Sequence, residues 1–265
     1  MEQGDLKGKV AIVTGSATGI GASVAIGLAR RSANLIVNYS KSESEAEATA
    51  EAVRKAGGEV RVVRGNVAED ADCRKLAEAA LAAWGRIDIL VNNAGTTKFA
   101  AHSNLDALSA EDFQSIYAVN VIGAFQMVRA CAPALKASGE GSVVNISSIA
   151  AIAGIGSSIA YAASKGALNT MTLSLARALA PEIRVNAVCP GFVATPWFSG
   201  RFGEDAAARI AEEQAKAAPL NRAADGDEIA RTVLFFCGPE SRHITGEALL
   251  TDGGLHLNVM AGARR

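Results

Sequence analysis

Short, continuously apolar runs alternate with longer stretches of mixed character along this chain. The first run, residues 9–14, ends at a glycine and is typical of a strand that is buried on both faces of a parallel sheet. Runs of the same kind predict further strands at residues 34–38, 59–64, 88–92, 142–147, 183–189 and 247–251. Between them, the pattern of apolar and polar positions predicts helices at residues 20–31, 42–56, 71–84, 109–136, 158–180 and 227–237.

The alternation of strands and helices predicts an α/β fold, with a doubly wound parallel sheet of the Rossmann type and helices on both faces. The 265 residues contain no linker, repeat or low-complexity segment, so we expect a single domain over residues 1–265. Residues 109–112 have the pattern of a capping box at the start of the longest helix, and Pro133 is expected to kink or end that helix. Residues 191–224 lack strand periodicity, and we interpret them as a mobile lid over a substrate.

Composition and charge narrow the choice of partners. A net charge of −1 indicates neither a nucleic-acid partner nor an anionic membrane. The four cysteines and three histidines are scattered, so we expect no metal site, and the scattered thiols fit a reducing compartment. Residues 1–9 are too polar for a signal peptide, and no apolar run approaches the length of a membrane span. These observations predict a soluble cytoplasmic protein.

A glycine-rich loop, residues 14–21, joins the first predicted strand to the first predicted helix. Glycines let the backbone approach a pyrophosphate closely, and the helix N-terminus offers free N–H groups and the positive end of its dipole. A plain turn between strand and helix is the alternative. The candidate cofactor-binding residues of this loop are Gly15, Ser16, Thr18, Gly19, Ile20 and Gly21.

The end of the second strand indicates which dinucleotide would bind. Sites for NAD place an acidic residue there, against the ribose hydroxyls, whereas this chain has Asn38, Tyr39, Ser40 and Lys41. A hydroxyl and an ammonium would accept a 2′-phosphate, which a carboxylate would repel. We therefore expect a preference for NADP (NADPH), while dual use of NAD and NADP stays open, as does a purely solvated Lys41.

The candidate chemistry lies in the second half of the chain. Tyr161 and Lys165 are four residues apart on one face of a predicted helix, and Ser148 follows the fifth strand. A nearby ammonium favours the phenolate, so Lys165 is expected to lower the pKa of Tyr161 and to prepare it for proton transfer at working pH. An ordinary pair on a surface helix is the alternative for these two residues alone.

Taken together, these segments resemble one known family. Residues 14–21, 92–95, Asn120, Ser148, Tyr161 with Lys165, and residues 190–191 follow one another as they do in the short-chain dehydrogenases/reductases. The resemblance covers the chain from residue 9 to about residue 255 and extends to the reductases of 3-oxoacyl carrier proteins and the glucose-dehydrogenase-like members. It implies about seven strands in the order 3-2-1-4-5-6-7. It also implies a dinucleotide-binding half at about 9–140, a catalytic half at about 141–255 and a substrate lid at about 191–224.

The resemblance also implies further cofactor contacts. They are Asn66, Val67, Asn93, Ala94, Gly95, Tyr161, Lys165, Pro190, Gly191, Val193 and Thr195. Two departures stand out: Asn66 occupies the place of an aspartate, and residues 16–18 lack the Arg or Lys that many NADP-using members carry in the glycine loop. Trp197 and Phe198, in the predicted lid, are candidates for substrate contact.

The function that the resemblance implies is hydride transfer between nicotinamide and a carbonyl or secondary alcohol. Tyr161 would donate the proton, Ser148 would stabilise the oxygen, and Lys165 would tune Tyr161 and contact the ribose. Asn120 would open its helix and hold a water that links Lys165 to solvent. The expected substrate is a small carbonyl or alcohol compound, with a 3-oxoacyl thioester or a small ketone first. The alternatives are a sugar or other alcohol dehydrogenase of the same family, and a non-catalytic dinucleotide-binding protein. The family commonly forms tetramers, so we expect a homotetramer, although sequence does not separate dimer from tetramer.

Overall fold

A seven-stranded parallel sheet forms the centre of the protein. The computed structural model describes residues 4–259, apart from the side chains of residues 198 and 259. The strands are β1 (Val10–Val13), β2 (Asn34–Tyr39), β3 (Val60–Arg64), β4 (Ile89–Asn92), β5 (Gly141–Ile146), β6 (Ile183–Pro190) and β7 (Ala248–Thr251). Their order across the sheet is 3-2-1-4-5-6-7 and each neighbouring pair is parallel. The predicted fold class and strand order are confirmed.

Helices cover both faces of this sheet. They are α1 (Gly19–Arg30), α2 (Glu43–Lys55), α3 (Asp70–Trp84), α4 (Ala110–Tyr117), α5 (Ala124–Ala137), α6 (Ala150–Ala153), α7 (Ile159–Leu179), α8 (Pro196–Phe202), α9 (Glu204–Ala217), α10 (Gly226–Cys237) and α11 (Leu255–Val259). Successive side chains of a strand point to opposite faces, so Val13 packs under α1, α2 and α10 while Ile12 packs under α3 and α5. The central strands are largely apolar because both faces are buried, and Asn92, Ser142 and Asn145 are buried polar exceptions in β4 and β5.

The longest predicted helix is divided in the structure. Ser109 and Asp112 form the predicted capping box at its start. The run then widens into one π-helical stretch, Ala118–Gly123, between α4 and α5. Pro133 lies inside α5 and does not end it, so that part of the prediction is wrong. Pro133 is exposed, and water can satisfy the carbonyl that the missing N–H leaves unpaired.

The predicted lid is largely helical. It contains α8 and α9, and its two ends meet in a parallel bridge between Val193 and Ala224. The periodicity of the sequence did not predict the short helices α6 and α11, because four or five residues carry too little of a helical pattern.

One helical run in the described part of the chain, Ala110–Ala137, is long and apolar enough to cross a membrane by those two criteria alone. The expectation that no run approaches such a length is therefore corrected. Met127, Val128, Cys131 and Leu135 of this run are buried in the core on one face of the sheet. A buried core helix meets the same two criteria.

The carboxyl ends of all seven strands lie at one edge of the sheet. The order of strands reverses between β1 and β4, and in doubly wound sheets such a switch point opens a crevice for a ligand. The segments that follow β1, β2, β4, β5 and β6 carry most of the predicted site residues. The fold therefore brings distant parts of the sequence to one edge.

Candidate active site

The glycine loop packs tightly against the segment after β4. A Cβ atom at Gly21 would lie 2.4 Å from Asn93 Nδ2 and 2.6 Å from the carbonyl oxygen of Gly15. A Cβ at Gly15 would lie 2.9 Å from the Cα of Ala94. Asn93 Nδ2 donates to the carbonyls of Thr14 and Gly15 at 3.0 and 2.9 Å. Only glycine fits at these two positions, and the loop is held in one conformation.

The start of α1 is open to an anion. Among the described residues, Thr18 receives no hydrogen bond from the α1 amides on its side chain, and the first turn of α1 contains no acidic residue. The amides of this turn therefore keep their donor capacity, and the helix dipole favours negative charge there. Ile20 is partly buried against the core, which fixes the direction of the helix. This geometry fits the pyrophosphate of a dinucleotide.

Asn38 and Ser16 support the loop from inside. Asn38 is only 2% exposed, and its Oδ1 accepts from the Gly15 amide at 3.0 Å. Its Nδ2 lies within hydrogen-bond distance of three backbone carbonyls, those of Tyr39, Val63 and Gly65. The Ser16 hydroxyl donates to the Val13 carbonyl at 2.7 Å and accepts from the Asn38 amide. Both side chains are therefore used within the protein, and the assignment of residues 16 and 38 to the cofactor site stays a prediction.

Beside the end of β2 lies a cation that the sequence analysis missed, Arg64 at the end of the neighbouring strand β3. Ser40 and Lys41 are exposed there, as expected. Arg64, the last residue of β3, donates from Nε to the Ser40 carbonyl at 3.3 Å. The carboxylate of Glu43, the first acidic residue after Lys41 in the chain, is hydrogen-bonded to Tyr39, and burial together with this bond raises the pKa of Tyr39. Pairing of β2 with β3 matches Tyr39 with Arg64, a neighbour that sequence spacing alone does not reveal.

The segments after β3 and β4 line the same edge. Asn66 is exposed and its Oδ1 accepts from the Ala68 amide in a tight turn, while Val67 is buried. Thr14 Oγ1 accepts from the amides of Asn93 and Ala94, each at 3.0 Å. A Cβ at Gly95 would lie 3.8 Å from Lys165 Nζ, so this segment runs between the glycine loop and the catalytic half.

Tyr161, Lys165 and Ser148 converge where β5 ends. Ser158 caps α7 by accepting from the Tyr161 amide at 3.2 Å, which fixes the first turn. Lys165 is 4% exposed; its Nζ lies 5.6 Å from the centroid of the Tyr161 ring and donates to the Ile146 carbonyl at 2.7 Å. Ser148 makes a side-chain hydrogen bond with Tyr161. The three predicted catalytic groups thus form one cluster.

The protonation of this cluster differs from the prediction. Burial raises the pKa of Tyr161 to about 12, although the hydrogen bond with Ser148 lowers it. Burial lowers the pKa of Lys165 to about 8. This direction is opposite to the expected lowering of the Tyr161 pKa, because removal from water disfavours phenolate and ammonium alike. Tyr161 therefore carries its proton at any working pH.

Asn120 lies inside the π-helical stretch and is 1% exposed. Its Nδ2 donates to Ser164 Oγ and to the Thr96 carbonyl, both at 3.0 Å, and its Oδ1 accepts from the Thr96 amide at 2.8 Å. Ser164 Oγ in turn donates to the Tyr161 carbonyl at 2.7 Å. The helix is opened locally at Asn120, as predicted, and the residue ties the segment after β4 to α7. The water relay stays a prediction.

The loop after β6 closes the remaining side. The Ile149 amide donates to the Pro190 carbonyl at 2.8 Å, and the Gly191 amide donates to the Thr251 carbonyl at 3.2 Å. Val193 is buried in its bridge to Ala224. Thr195 precedes α8, and a Cβ at Gly19 would lie 3.5 Å from its side chain, so the lid begins beside the glycine loop. The structure thus brings the predicted residues of both halves to one cleft.

The described residues were also compared with the requirements of metal and thiol sites. No group of three or more His, Cys, Asp or Glu side chains among residues 4–259 could hold a metal ion. Burial raises the pKa values of Cys73, Cys131 and Cys237 to about 12, so these thiols are poor nucleophiles.

Comparison with known proteins agrees with this geometry. The family model described as "Enoyl-(Acyl carrier protein) reductase" matches residues 15–256. A protein of Streptomyces violaceoruber, named a proposed ketoacyl reductase of the granaticin polyketide synthase, is 43% identical over 248 residues, which are 94% of this chain and 96% of that protein. A 3-oxoacyl-carrier-protein reductase of Thermotoga maritima is 35% identical over 251 residues, covering 94% of this chain and 98% of the relative.

A solved structure extends the similarity to the fold. The crystal structure of a proposed short-chain dehydrogenase/reductase from Burkholderia xenovorans superposes with a TM-score of 0.87 at 39% identity. The superposition covers 94% of this chain and 98% of that one. The chain belongs to the short-chain dehydrogenase/reductase family, and it is an oxidoreductase that uses a nicotinamide cofactor.

Proposed function

We propose that this protein is an NADPH-dependent reductase of a 3-oxoacyl thioester or a small ketone. The observation that carries the proposal is the cluster of Tyr161, Ser148 and Lys165 at the carboxyl edge of the sheet, beside the glycine loop. The cluster presents a protonated phenol, a hydroxyl and an ammonium to one point. That set suits reduction of a carbonyl, because negative charge develops on its oxygen.

Each residue of the site has its own role in this reaction. When bound, the nicotinamide supplies the hydride. Tyr161 donates its proton to the carbonyl oxygen, and Ser148 hydrogen-bonds the same oxygen and orients it. Lys165, protonated below a pKa of about 8, stabilises the phenolate that Tyr161 becomes. Asn120 holds Thr96 and Ser164, and we propose that it also supports the water that returns the proton.

The preference for NADPH rests on charge at the end of β2. Ser40, Lys41 and Arg64 place one hydroxyl and two cations there, and Glu43 is engaged by Tyr39. A 2′-phosphate gains charge-assisted hydrogen bonds from such a set. The adenine side would be bordered by Asn66 and the segment 93–95, and the nicotinamide side by residues 190–195.

The proposed substrate follows from the functions for which two relatives are named. Two of them carry names for reduction of 3-oxoacyl groups, one on a polyketide synthase and one on a carrier protein. We extend to this chain only the chemistry that they share, a carbonyl placed β to a thioester. We place the protein in the cytoplasm and expect it to act as a homotetramer.

A substrate panel tests the proposal. Purified protein is given acetoacetyl thioester, small ketones, quinones and sugars with NADPH or NADH, and Tyr161→Phe serves as the control for background. The proposal predicts the highest kcat/KM for acetoacetyl thioester or a small ketone with NADPH. Turnover confined to sugars, or equal rates with both cofactors, would contradict it.

A further inference from the structure

A chain of buried polar side chains runs from β4 through β5 to α7. Asn92 Nδ2 donates to Asn145 Oδ1 at 2.9 Å, and Asn145 Nδ2 donates to Thr172 Oγ1 at 2.9 Å. The Thr172 hydroxyl in turn donates to the Leu168 carbonyl at 2.9 Å. Asn145 and Thr172 are 0% exposed and Asn92 is 4% exposed. The mechanism above uses none of these side chains.

Both ends of the Asn145–Thr172 hydrogen bond lie on segments that carry proposed catalytic groups. Asn145 belongs to β5 and stands three residues before Ser148. Thr172 lies on α7, seven residues after Lys165, and two helical turns return a side chain to the same face. That face is turned towards β5, because Lys165 Nζ donates to a β5 carbonyl at 2.7 Å. The bond therefore joins the strand that leads to Ser148 with the helix that carries Tyr161 and Lys165.

Apolar packing holds α7 only loosely along its own axis. The buried side chains of this helix are mostly small: Ala160, Ala162, Ser164, Lys165, Leu168, Thr172 and Ala176. Small side chains interdigitate little, and packed helices can slide past one another by small amounts. Hydrogen bonds are directional, and a buried network of them specifies one arrangement. The polar contacts are therefore the part of this interface that can define the position of α7.

The position of α7 matters for proton transfer. One residue of an α-helix corresponds to about 1.5 Å along its axis, and a misplacement of about 1 Å can cost about 100-fold in rate. Ser148 would stay with β5 while Tyr161 moved with α7. We propose that Asn145 and Thr172 are positioning residues, whose hydrogen bond holds α7 in register with β5 and keeps the phenol and the ammonium beside Ser148. This inference rests on the proposed function of the cluster.

Two substitutions at residue 172 separate the hydrogen bond from the packing. Thr172→Val keeps the shape and removes the hydroxyl, whereas Thr172→Ser keeps the hydroxyl and removes a methyl group. The substrate is the member of the panel that the wild-type protein reduces fastest. Thr172→Val should lower kcat by about 10- to 100-fold. Thr172→Ser should stay close to the wild-type value, because the bond is retained. A role in packing alone predicts the reverse order, since serine leaves a small cavity and valine does not.

A matched control destabilises the same helix and leaves the bond in place. Ala176→Gly, one turn further along α7, removes a buried methyl group and puts glycine in a helix interior. Rates are compared at a temperature at which circular dichroism shows every variant folded, and Ala176→Gly should then keep the wild-type kcat. In Thr172→Val, the dissociation constant of NADPH should change less than kcat, because the glycine loop and the end of β2 lie outside α7. If Thr172→Val does not fold, Thr172→Ala replaces it, since it differs from Thr172→Ser by the hydroxyl.

A second measurement needs no turnover. Hydrogen exchange of the amides of residues 161–168 in α7 should be about two- to tenfold faster in Thr172→Val than in Thr172→Ser, because the helix loses a connection to β5. Equal exchange in the two variants would show that the hydroxyl does not hold α7 and would overturn the inference.

Tyr161→Phe in the same assay separates this inference from the proposed function. A wild-type kcat in Thr172→Val, equal losses in Thr172→Val and Thr172→Ser, or an equal loss in Ala176→Gly would overturn the positioning role. An active Tyr161→Phe protein would instead contradict the proposed function. If Tyr161→Phe is inactive and Thr172→Val is fully active, the proposed function stands and the positioning role fails.

Discussion

Burial determines the protonation of the catalytic residues. Tyr161 and Lys165 both lie where their charged forms lose contact with water, so each favours its neutral form. The phenol is consequently a proton donor at rest, and the ammonium is the group that titrates near neutrality. This protonation state suits the proposed reduction, in which a proton must be delivered to oxygen.

The pH dependence of reduction follows from this. Because the pKa of Lys165 is lowered to about 8, the ammonium is lost as the pH rises through that value, while Tyr161 keeps its proton. The kcat/KM for reduction, measured from pH 6 to pH 10, should fall above about pH 8 with the slope of one proton. Lys165→Ala should be slow and show no such decline. A wild-type rate that is level up to pH 10 would refute the role given to the ammonium.

We also expect individual residues to determine the preference for NADPH over NADH. Lys41→Ala and Arg64→Ala should each weaken NADPH binding by about tenfold and change NADH binding little, because each removes one charge-assisted contact to phosphate. The effect should grow at low salt. Fluorescence titration at two ionic strengths measures the dissociation constants, with Lys55→Ala on the exposed end of α2 as the control. Equal affinity of the wild type for NADPH and NADH would refute the preference.

The sequence predicted Ser148, Tyr161 and Lys165 because their spacing is local or carried by the family pattern. It did not predict Arg64, whose position beside Ser40 arises only when β2 pairs with β3. It also assigned Asn38 to the cofactor, although the fold buries its amide under the glycine loop. An Asn38→Asp change would therefore disturb the loop rather than simply favour NADH.

Elements with a strong periodic pattern were predicted within one or two residues of their bounds. Tertiary contacts decide the rest, as at Pro133, which lies inside α5, and in the π-helical stretch at Asn120, which only the family resemblance implied. A proline on an exposed helix face does little harm, and a π-helical stretch needs partners such as Thr96 and Ser164 that lie far away in sequence.

Strands β1 and β4 are joined at their starts by a buried carboxylate. Asp88 is 1% exposed; it accepts from the Val10 amide at 3.0 Å and pairs with Arg86 and Lys9. Asp88→Asn should lower the free energy of unfolding at pH 7 by about 1–3 kcal/mol, since it weakens these charge-assisted bonds. Urea unfolding of the wild type and of Asp88→Asn measures this difference in the free energy of unfolding.

The destabilisation caused by Asp88→Asn should become smaller as the pH falls. Burial opposes ionisation, but the bonds from Arg86, Val10 and Lys9 outweigh it and leave the pKa of Asp88 below 3.8. Its stabilisation is thus present above the unfolded pKa and is lost as the pH falls through the lower folded value. The difference between wild type and Asp88→Asn should shrink from pH 5 towards pH 3. A difference that is constant over this range would contradict the assigned charge.

Several apolar side chains are exposed on one helical layer of the molecule. Ile122, Phe125 and Leu173 are 51%, 43% and 53% exposed on the π-helical stretch, α5 and α7, which pack in the same layer. Such a surface suits a symmetric contact between copies of the chain. Phe236 of α10 is buried in the core and is not available for such a contact.

Assembly is tested by light scattering at micromolar concentration. The wild type should have a mass above that of the monomer, and Phe125→Asp should lower it by placing a charge in the contact. Leu105→Asp, at an exposed site away from these helices, should leave the mass unchanged. An exclusively monomeric wild type would contradict the proposed tetramer.

The measurement that tests the account most directly is turnover by Tyr161→Phe. This change removes the proton donor and keeps the ring, so kcat should fall by about 10²–10⁴-fold while NADPH binds nearly as tightly as to the wild type. Tyr117→Phe is the matched control and should retain full activity. If Tyr161→Phe kept more than about a tenth of wild-type turnover, well above the loss expected for a general acid, Tyr161 would not be the proton donor and the account would be wrong.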